Sequence, residues 1–242
     1  MELEIALMIV GLLIVVVGAG SLVVSVWLSI KYVAYNKKEN SSGLTGEEVA
    51  RKILDNNGLQ KIKVKVTGSI MFGNSYSHYF KKVRLRRFTR KKRSLTSLGM
   101  GAQKAALAVL DKENDPDMRK YVRLYPIITF GPFAFIPLIT VGALLDYFVF
   151  SQSGICVYIL GALGLLFYVY AIVLAVVTLK AEKKAQAKAY EILKNDNLAT
   201  EDELQDLKEL FRLYNIQYVN DIILSSLELI YTVLEILIEI KN

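Results

Sequence analysis

One histidine, His78, and one cysteine, Cys156, stand in a chain of 242 residues. Those two counts limit the chemistry before any motif is sought. A disulfide framework or a Cys-based zinc site needs more than one thiol per chain, and Cys156 lies inside an apolar run. His-dependent metal sites and Ser-His-Asp triads need further partners. His78 sits in a loop of Tyr, Ser and Asn with no second His or Cys beside it, so it is read as a surface or packing residue. Ser94 and Ser97 have no identifiable base nearby and stand where a helix would start, a capping position rather than a nucleophilic one. The polar parts of the chain hold no P-loop, no GxGxxG and no paired-carboxylate arrangement.

Two charged groupings remain. Arg90-Lys91-Lys92-Arg93 closes a basic stretch that interleaves Phe88 and lies near Tyr76 and Tyr79, a composition able to hold phosphates. Beside membrane segments the same cluster reads as a polybasic surface that fixes topology and binds anionic lipid, so nucleic acid is not the expected partner. Near the other end, Asp221, Glu228, Glu235 and Glu239 recur at spacings that place all four on one face of an apolar helix. Carboxylates in a span normally face a bundle interior or water.

The elements that would position these groups follow from patterning. Hydrophobic residues make up 53% of the chain and charged ones 22%, which points to membrane segments alternating with polar ones. Residues 1–30 form an amino-terminal anchor, uncharged from Ile5 to Ile30 and long enough to cross a bilayer core. Its acidic leader, and the lack of a small-residue cleavage site after it, argue against a signal peptide. Residues 31–124 form a basic α+β region. Leu44 to Gly58 carries a helix with capping-box spacing at Thr45 and Glu48; Ile62 to Val66 and Val83 to Leu85 alternate as strands; Ser94 to Leu110 forms an Ala- and Gly-rich helix. Asp111 to Pro116 breaks it. Residues 125–150, with Pro126, Pro132 and Pro137, and 151–179 form two further spans joined at Ser151 to Gly154. Residues 180–215 form polar helices, the second capped by Thr200 and Glu203, and 216–242 form a last apolar helix expected to span. The fold class is therefore a mainly α integral membrane protein, with three or four transmembrane helices and a small cytoplasmic α+β domain.

Charge sets the orientation. Lys31 to Arg123 holds 22 of the 30 Lys and Arg but only 8 of the 23 acidic groups, whereas the 151–154 link holds no charge. The positive-inside rule then puts the amino terminus outside and both polar regions in the cytoplasm of a multi-pass cell-membrane protein.

Ser41 to Leu59, SSGLTGEEVARKILDNNGL, resembles the start of the YugP-type membrane zinc metallopeptidases, a bacterial family, and the order of segments stays similar along nearly the whole chain. The resemblance implies a zincin-like peptidase domain and a zinc cofactor held by an HExxH helix, two His one turn apart with a Glu that activates water. Laid on this sequence, that motif falls on Gln103-Lys104-Ala105-Ala106-Leu107. Both ligand positions are lost, to Gln103 and Leu107, and the base position is Lys104. An Asp-His-Tyr-Asp-Pro motif of the family falls on Asn74, Ser75, Tyr76, Ser77 and His78, of which only Tyr76 is kept. A Glu-Phe-Asp-Ala-Ser motif falls on Glu182 to Gln186 and keeps Glu182, the family's third ligand position. A lone Glu182 cannot hold catalytic zinc. The expectation is a pseudo-peptidase without catalytic residues or bound metal, serving as a scaffold or regulatory subunit for a membrane protein partner. Lys104 is expected to neutralise Glu182. The alternatives are a peptidase with non-standard ligands and a polybasic module that binds anionic lipid or nucleic acid.

Overall fold

The computed structural model describes residues 2–67, 73–124, 135–150 and 154–241. The elements run α1 (Glu2–Lys37), α2 (Gly46–Asn56), β1 (Lys63–Val66), β2 (Ser75–Ser77), β3 (Lys82–Leu85), α3 (Arg87–Lys91), α4 (Leu95–Lys112), α5 (Pro116–Leu124), α6 (Phe135–Phe148), α7 (Ile155–Asn195) and α8 (Glu201–Lys241). Among the described residues the protein is mostly helical, with one three-stranded sheet in the order β1-β3-β2. The expected prolines Pro126 and Pro132, and Ser151 to Ser153 of the expected link, lie outside the described residues.

The chain forms two compact units. One comprises Met1–Ser21, Arg123–Thr178 and Val219–Asn242; the other comprises Leu22–Val122 and Leu179–Tyr218. In the first, α1 and α7 supply the two described helices long and apolar enough to cross a membrane, with mean hydropathies of 2.8 and 2.5. Their most apolar stretches are almost wholly exposed, the reverse of what a core helix of a soluble protein would show. Gly142 of α6 lies against the Cys156 carbonyl and Val157 Cα, where a Cβ would meet both at 2.9 Å. That close approach lets the buried Asp146 accept from the Cys156 amide (3.1 Å) and the Val157 amide (2.8 Å). The carboxylate thereby satisfies donors that the first turn of α7 leaves unpaired. Within the acidic stripe of α8, Glu228 accepts from the Tyr168 hydroxyl at 3.1 Å.

The second unit is built around α4. Every residue from Leu95 to Leu110 is buried, so α4 is enclosed on all sides rather than along one stripe. Ser94 starts it, its hydroxyl accepting from the Ser97 amide at 3.2 Å. The helix α2 presents Val49, Ala50, Ile53 and Leu54 to the core, and Thr45 with Glu48 forms the expected capping box. Gly46 and Gly101 let α2 and α4 approach backbone to backbone: a Cβ on Gly101 would fall on the Gly46 carbonyl and within 2.8 Å of Val49 Cγ1. Across the sheet, Tyr76, Val83 and Leu85 point to the buried side. At the start of α8, Thr200 and Glu203 make the second capping box. Burial opposes the Glu203 carboxylate, but the Ser41 hydroxyl and the Thr200 and Ser41 amides outweigh it and hold its pKa below the ordinary value.

Three elements go beyond the sequence pattern. The strand β2 lies in a stretch read as turns; α3 covers part of the basic cluster; α5 follows the break at Asp111 to Pro116. Pro116 opens α5 at a position where its missing N–H costs nothing. Asp115 caps it, accepting from the amides of Asp117 (2.9 Å) and Met118 (3.0 Å).

Candidate functional site

The buried face of α4 carries two polar side chains in its middle, and both end on one carboxylate. Lys104 Nζ donates to Glu182 Oε1 at 2.5 Å, and Gln103 Nε2 donates to Glu182 Oε2 at 2.7 Å. Gln103 is 4% and Lys104 7% exposed, so neither can be satisfied by bulk water. An ammonium taken out of water at that depth needs a counter-charge and hydrogen bonds, and α7 supplies both through Glu182. Leu107, one turn beyond Gln103, is 1% exposed and adds only carbon. The pairing expected between Lys104 and Glu182 is present, and Glu182 is not a solvated helix residue.

A charged ammonium has three donors and no acceptor, so Lys104 in this pair cannot take a proton from water. The amide of Gln103 points its donor, not a lone pair, at the place where a ligand would converge with Glu182. Zinc takes about three protein ligands with lone pairs directed inward. Gln103, Lys104, Leu107 and Glu182 do not fit that ion. Among the described residues no group of three or more His, Cys, Asp or Glu is placed to hold a metal.

The other positions singled out in the sequence do not join this pair. The Tyr76 hydroxyl donates to Asp111 Oδ2 at 2.6 Å, and His78 Nδ1 lies 2.6 Å from the same oxygen. Burial, and then the hydrogen bond to Asp111, push the Tyr76 phenol well above its ordinary pKa. Asn74 accepts from the Arg86 amide at 2.7 Å, and Ser77 Oγ lies 3.5 Å from the Phe80 amide. Ser75 is half-buried in β2. Residues of this stretch therefore hold the sheet and the end of α4 together. Asp111 was not singled out in the sequence, where its place in a run of acids and Asn suggested only a helix end. Lys184, two residues beyond Glu182, leaves the site and pairs with Asp115 (2.8 Å) and Asp117 (2.7 Å). Burial works against the Asp115 carboxylate, but Lys184 and the two amides of α5 keep its pKa below the ordinary value.

The basic cluster is partly spent on structure. Arg90 makes a two-pronged contact with Glu47 (2.5 and 2.7 Å), which raises its pKa, and Lys92 Nζ donates to the Asn36 carbonyl at 3.2 Å. The Arg93 carbonyl accepts from the Asn40 amide at 2.9 Å. Lys91 is exposed.

The chain thus combines two helices long and apolar enough to cross a membrane with a buried polar centre on α4 that faces a glutamate of α7. Residues 7–237 match the profile of the family described as "Putative neutral zinc metallopeptidase", and the chain belongs to that family. Its sequence is 25% identical over 224 residues to the "Putative membrane protease YugP" of Bacillus subtilis (strain 168), covering 90% of this chain and 94% of that protein. No solved structure matches.

Proposed function

We propose that this protein is a catalytically inactive member of its family, a pseudo-peptidase that keeps the fold as a scaffold or regulatory subunit for a membrane partner. The observation that carries the reading is the closed triangle of Gln103, Lys104 and Glu182: the carboxylate best placed to bind a metal is engaged at both oxygens by donors. A rewired active site would leave at least one inward lone pair and one base; this arrangement supplies neither. The polar regions, residues 31–124 and 180–215, form in this reading a zincin-like cytoplasmic domain. The amino terminus lies outside, and α6 and α8 join α1 and α7 to make three or four spans, with the acidic face of α8 offered to the partner.

Metal analysis of the purified full-length protein tests this. The expected result is no stoichiometric zinc and no cleavage of an unfolded protein substrate. The variant combining Gln103→His, Lys104→Glu and Leu107→His should gain zinc, because it restores two imidazoles opposite Glu182. Stoichiometric zinc in the unaltered protein, lost on Glu182→Ala or His78→Ala, would overturn the reading in favour of a peptidase with non-standard ligands.

A further inference from the structure

The outer face of the sheet concentrates positive charge that no described acid answers. In the parallel pairing of β1 with β3, Lys63 stands opposite Lys82 and Lys65 opposite Arg84, while Val64 and Val66 stand opposite Val83 and Leu85. Side chains alternate across a sheet, so the four cations share one face; on the other, Val83 and Leu85 are buried, Val64 is half-buried and Val66 reaches solvent. The strand β2 sets the half-buried Ser75 opposite Arg84, and the buried Ser77 opposite Lys82 closes that edge of the face.

Like charges directly opposite one another destabilise a sheet. Folds usually relieve such pairs with an acid, as Glu47 does for Arg90 and Glu182 for Lys104. Among the described residues none of Lys63, Lys65, Lys82 or Arg84 is in an ion pair. The contact made by Lys82 and Arg84 is instead with an aromatic ring: Lys82 Nζ lies 5.6 Å and Arg84 Cζ 5.5 Å from the centroid of Phe80. Phe80 is 62% and the neighbouring Tyr79 57% exposed. Two opposed cation pairs and the exposed Phe80 ring form one surface.

The positive-inside rule does not account for this placement, because it weighs basic residues within roughly 15–20 residues of a span end. Lys63 to Arg84 lie farther than that along the chain from Lys37, where α1 ends, and from α6. A protein with two membrane-length helices is held beside phosphate headgroups at high effective concentration. An exposed aromatic ring flanked by cations, as Phe80 is by Lys82 and Arg84, suits the headgroup level of a bilayer. We propose that Lys63, Lys65, Lys82 and Arg84, with Phe80, form a docking surface for the phosphate headgroups of an anionic bilayer. This surface is separate from the Gln103–Lys104–Glu182 triangle, and it stands whether or not the family's chemistry persists.

The test uses the full chain in phosphatidylcholine nanodiscs, mixed with phosphatidylcholine vesicles that contain or lack phosphatidylglycerol, with flotation as the readout. Binding should require phosphatidylglycerol and weaken at high salt. Each cation near an anionic surface contributes roughly fivefold in affinity, so the variant with Lys63→Gln, Lys65→Gln, Lys82→Gln and Arg84→Gln should lose at least about 100-fold. Lys65→Gln alone, a milder change that keeps the sheet, should lose about fivefold on the same basis. The comparison variant with Lys91→Gln, Lys92→Gln and Arg93→Gln should lose less than Lys65→Gln. Equal binding to vesicles of both compositions would overturn the proposal, as would undiminished binding by the Lys65→Gln protein or a larger loss in the comparison variant. Capture of a polyuridylate oligonucleotide without any vesicle binding would also overturn it, and would assign the face to single-stranded nucleic acid.

Discussion

Lys104 and the cations of the sheet are handled in opposite ways within one unit. Lys104 is buried in α4, and the fold brings a carboxylate from α7 to its ammonium. Lys63, Lys65, Lys82 and Arg84 face outward in two opposed pairs, with no ion pair to any of them among the described residues. The difference follows from solvation. A buried charge left unpaired costs several kcal/mol, so the first arrangement is compulsory once Lys104 is present. Exposed cations repel by a few tenths of a kcal/mol and can be left for an external anion. Charge in the core thus reports what the fold is obliged to pair, and charge on the sheet reports what the surface can meet.

The largest expected effect tests the closed half of that contrast. Glu182→Ala leaves Lys104 buried without a counter-charge and should destabilise the protein by about 3–5 kcal/mol. Their side chains are only 9% and 19% exposed, so solvent screening removes little of it. Replacing the pair together, with Lys104→Met and Glu182→Leu, should recover part of the loss, since apolar substitutes of similar volume are often neutral, while Gln103 is left without its acceptor at a cost of about 1–3 kcal/mol. Denaturant unfolding in detergent measures both. If the single and double replacements lose the same stability, the pair is incidental and the contrast fails.

That pair could be anticipated only through the family resemblance. Lys104 and Glu182 lie on helices far apart in the chain, and no local periodicity connects them. Local rules served well where the cause is local. Thr45 with Glu48 and Thr200 with Glu203 both form capping boxes, and alternation at Lys63 to Val66 and Lys82 to Leu85 marks two strands. The strand β2 escaped because three residues, Ser-Tyr-Ser, carry no alternation of their own and pair only once β3 is in place. The helix α3 escaped because Arg-Phe-Thr-Arg-Lys has no apolar stripe; only Thr89 is buried. Asp111 became a partner of Tyr76 and His78 through sheet-to-helix packing, and no sequence spacing encodes that.

An intermediate effect asks whether enclosure is what makes the pairing compulsory. Gly101→Ala would set a methyl on the Gly46 carbonyl, which is backbone and cannot turn aside. Overpacking of this kind costs about 1–3 kcal/mol. The loss should come with faster amide exchange along α2 and α4 and should add to that of Lys104→Met with Glu182→Leu, because Gly101 meets α2, Lys104 meets α7, and the two share no partner. Strong non-additivity would mean that the helix responds as one unit, and that the charge pair and the glycine contact cannot be treated apart.

The smallest effect belongs to the open half, and it differs in sign. Removing the charge at position 65 relieves the repulsion between Lys65 and Arg84, so Lys65→Gln should raise stability by about 0.2–0.5 kcal/mol at low ionic strength. The gain should fade as salt is added, because both groups are reached by solvent and the repulsion is screened over about 10 Å at 0.1 M. A gain in stability together with a loss of vesicle binding would mark Lys65 as a residue whose cost to the fold is offset by what it binds. The opposite pattern, lower stability that is independent of salt, would mean that the Lys65 stem packs against the sheet and that its charge carries no such role. Thermal unfolding in a neutral detergent at two salt concentrations separates these outcomes without any ligand present, so the charge argument can fail on its own before lipid is added.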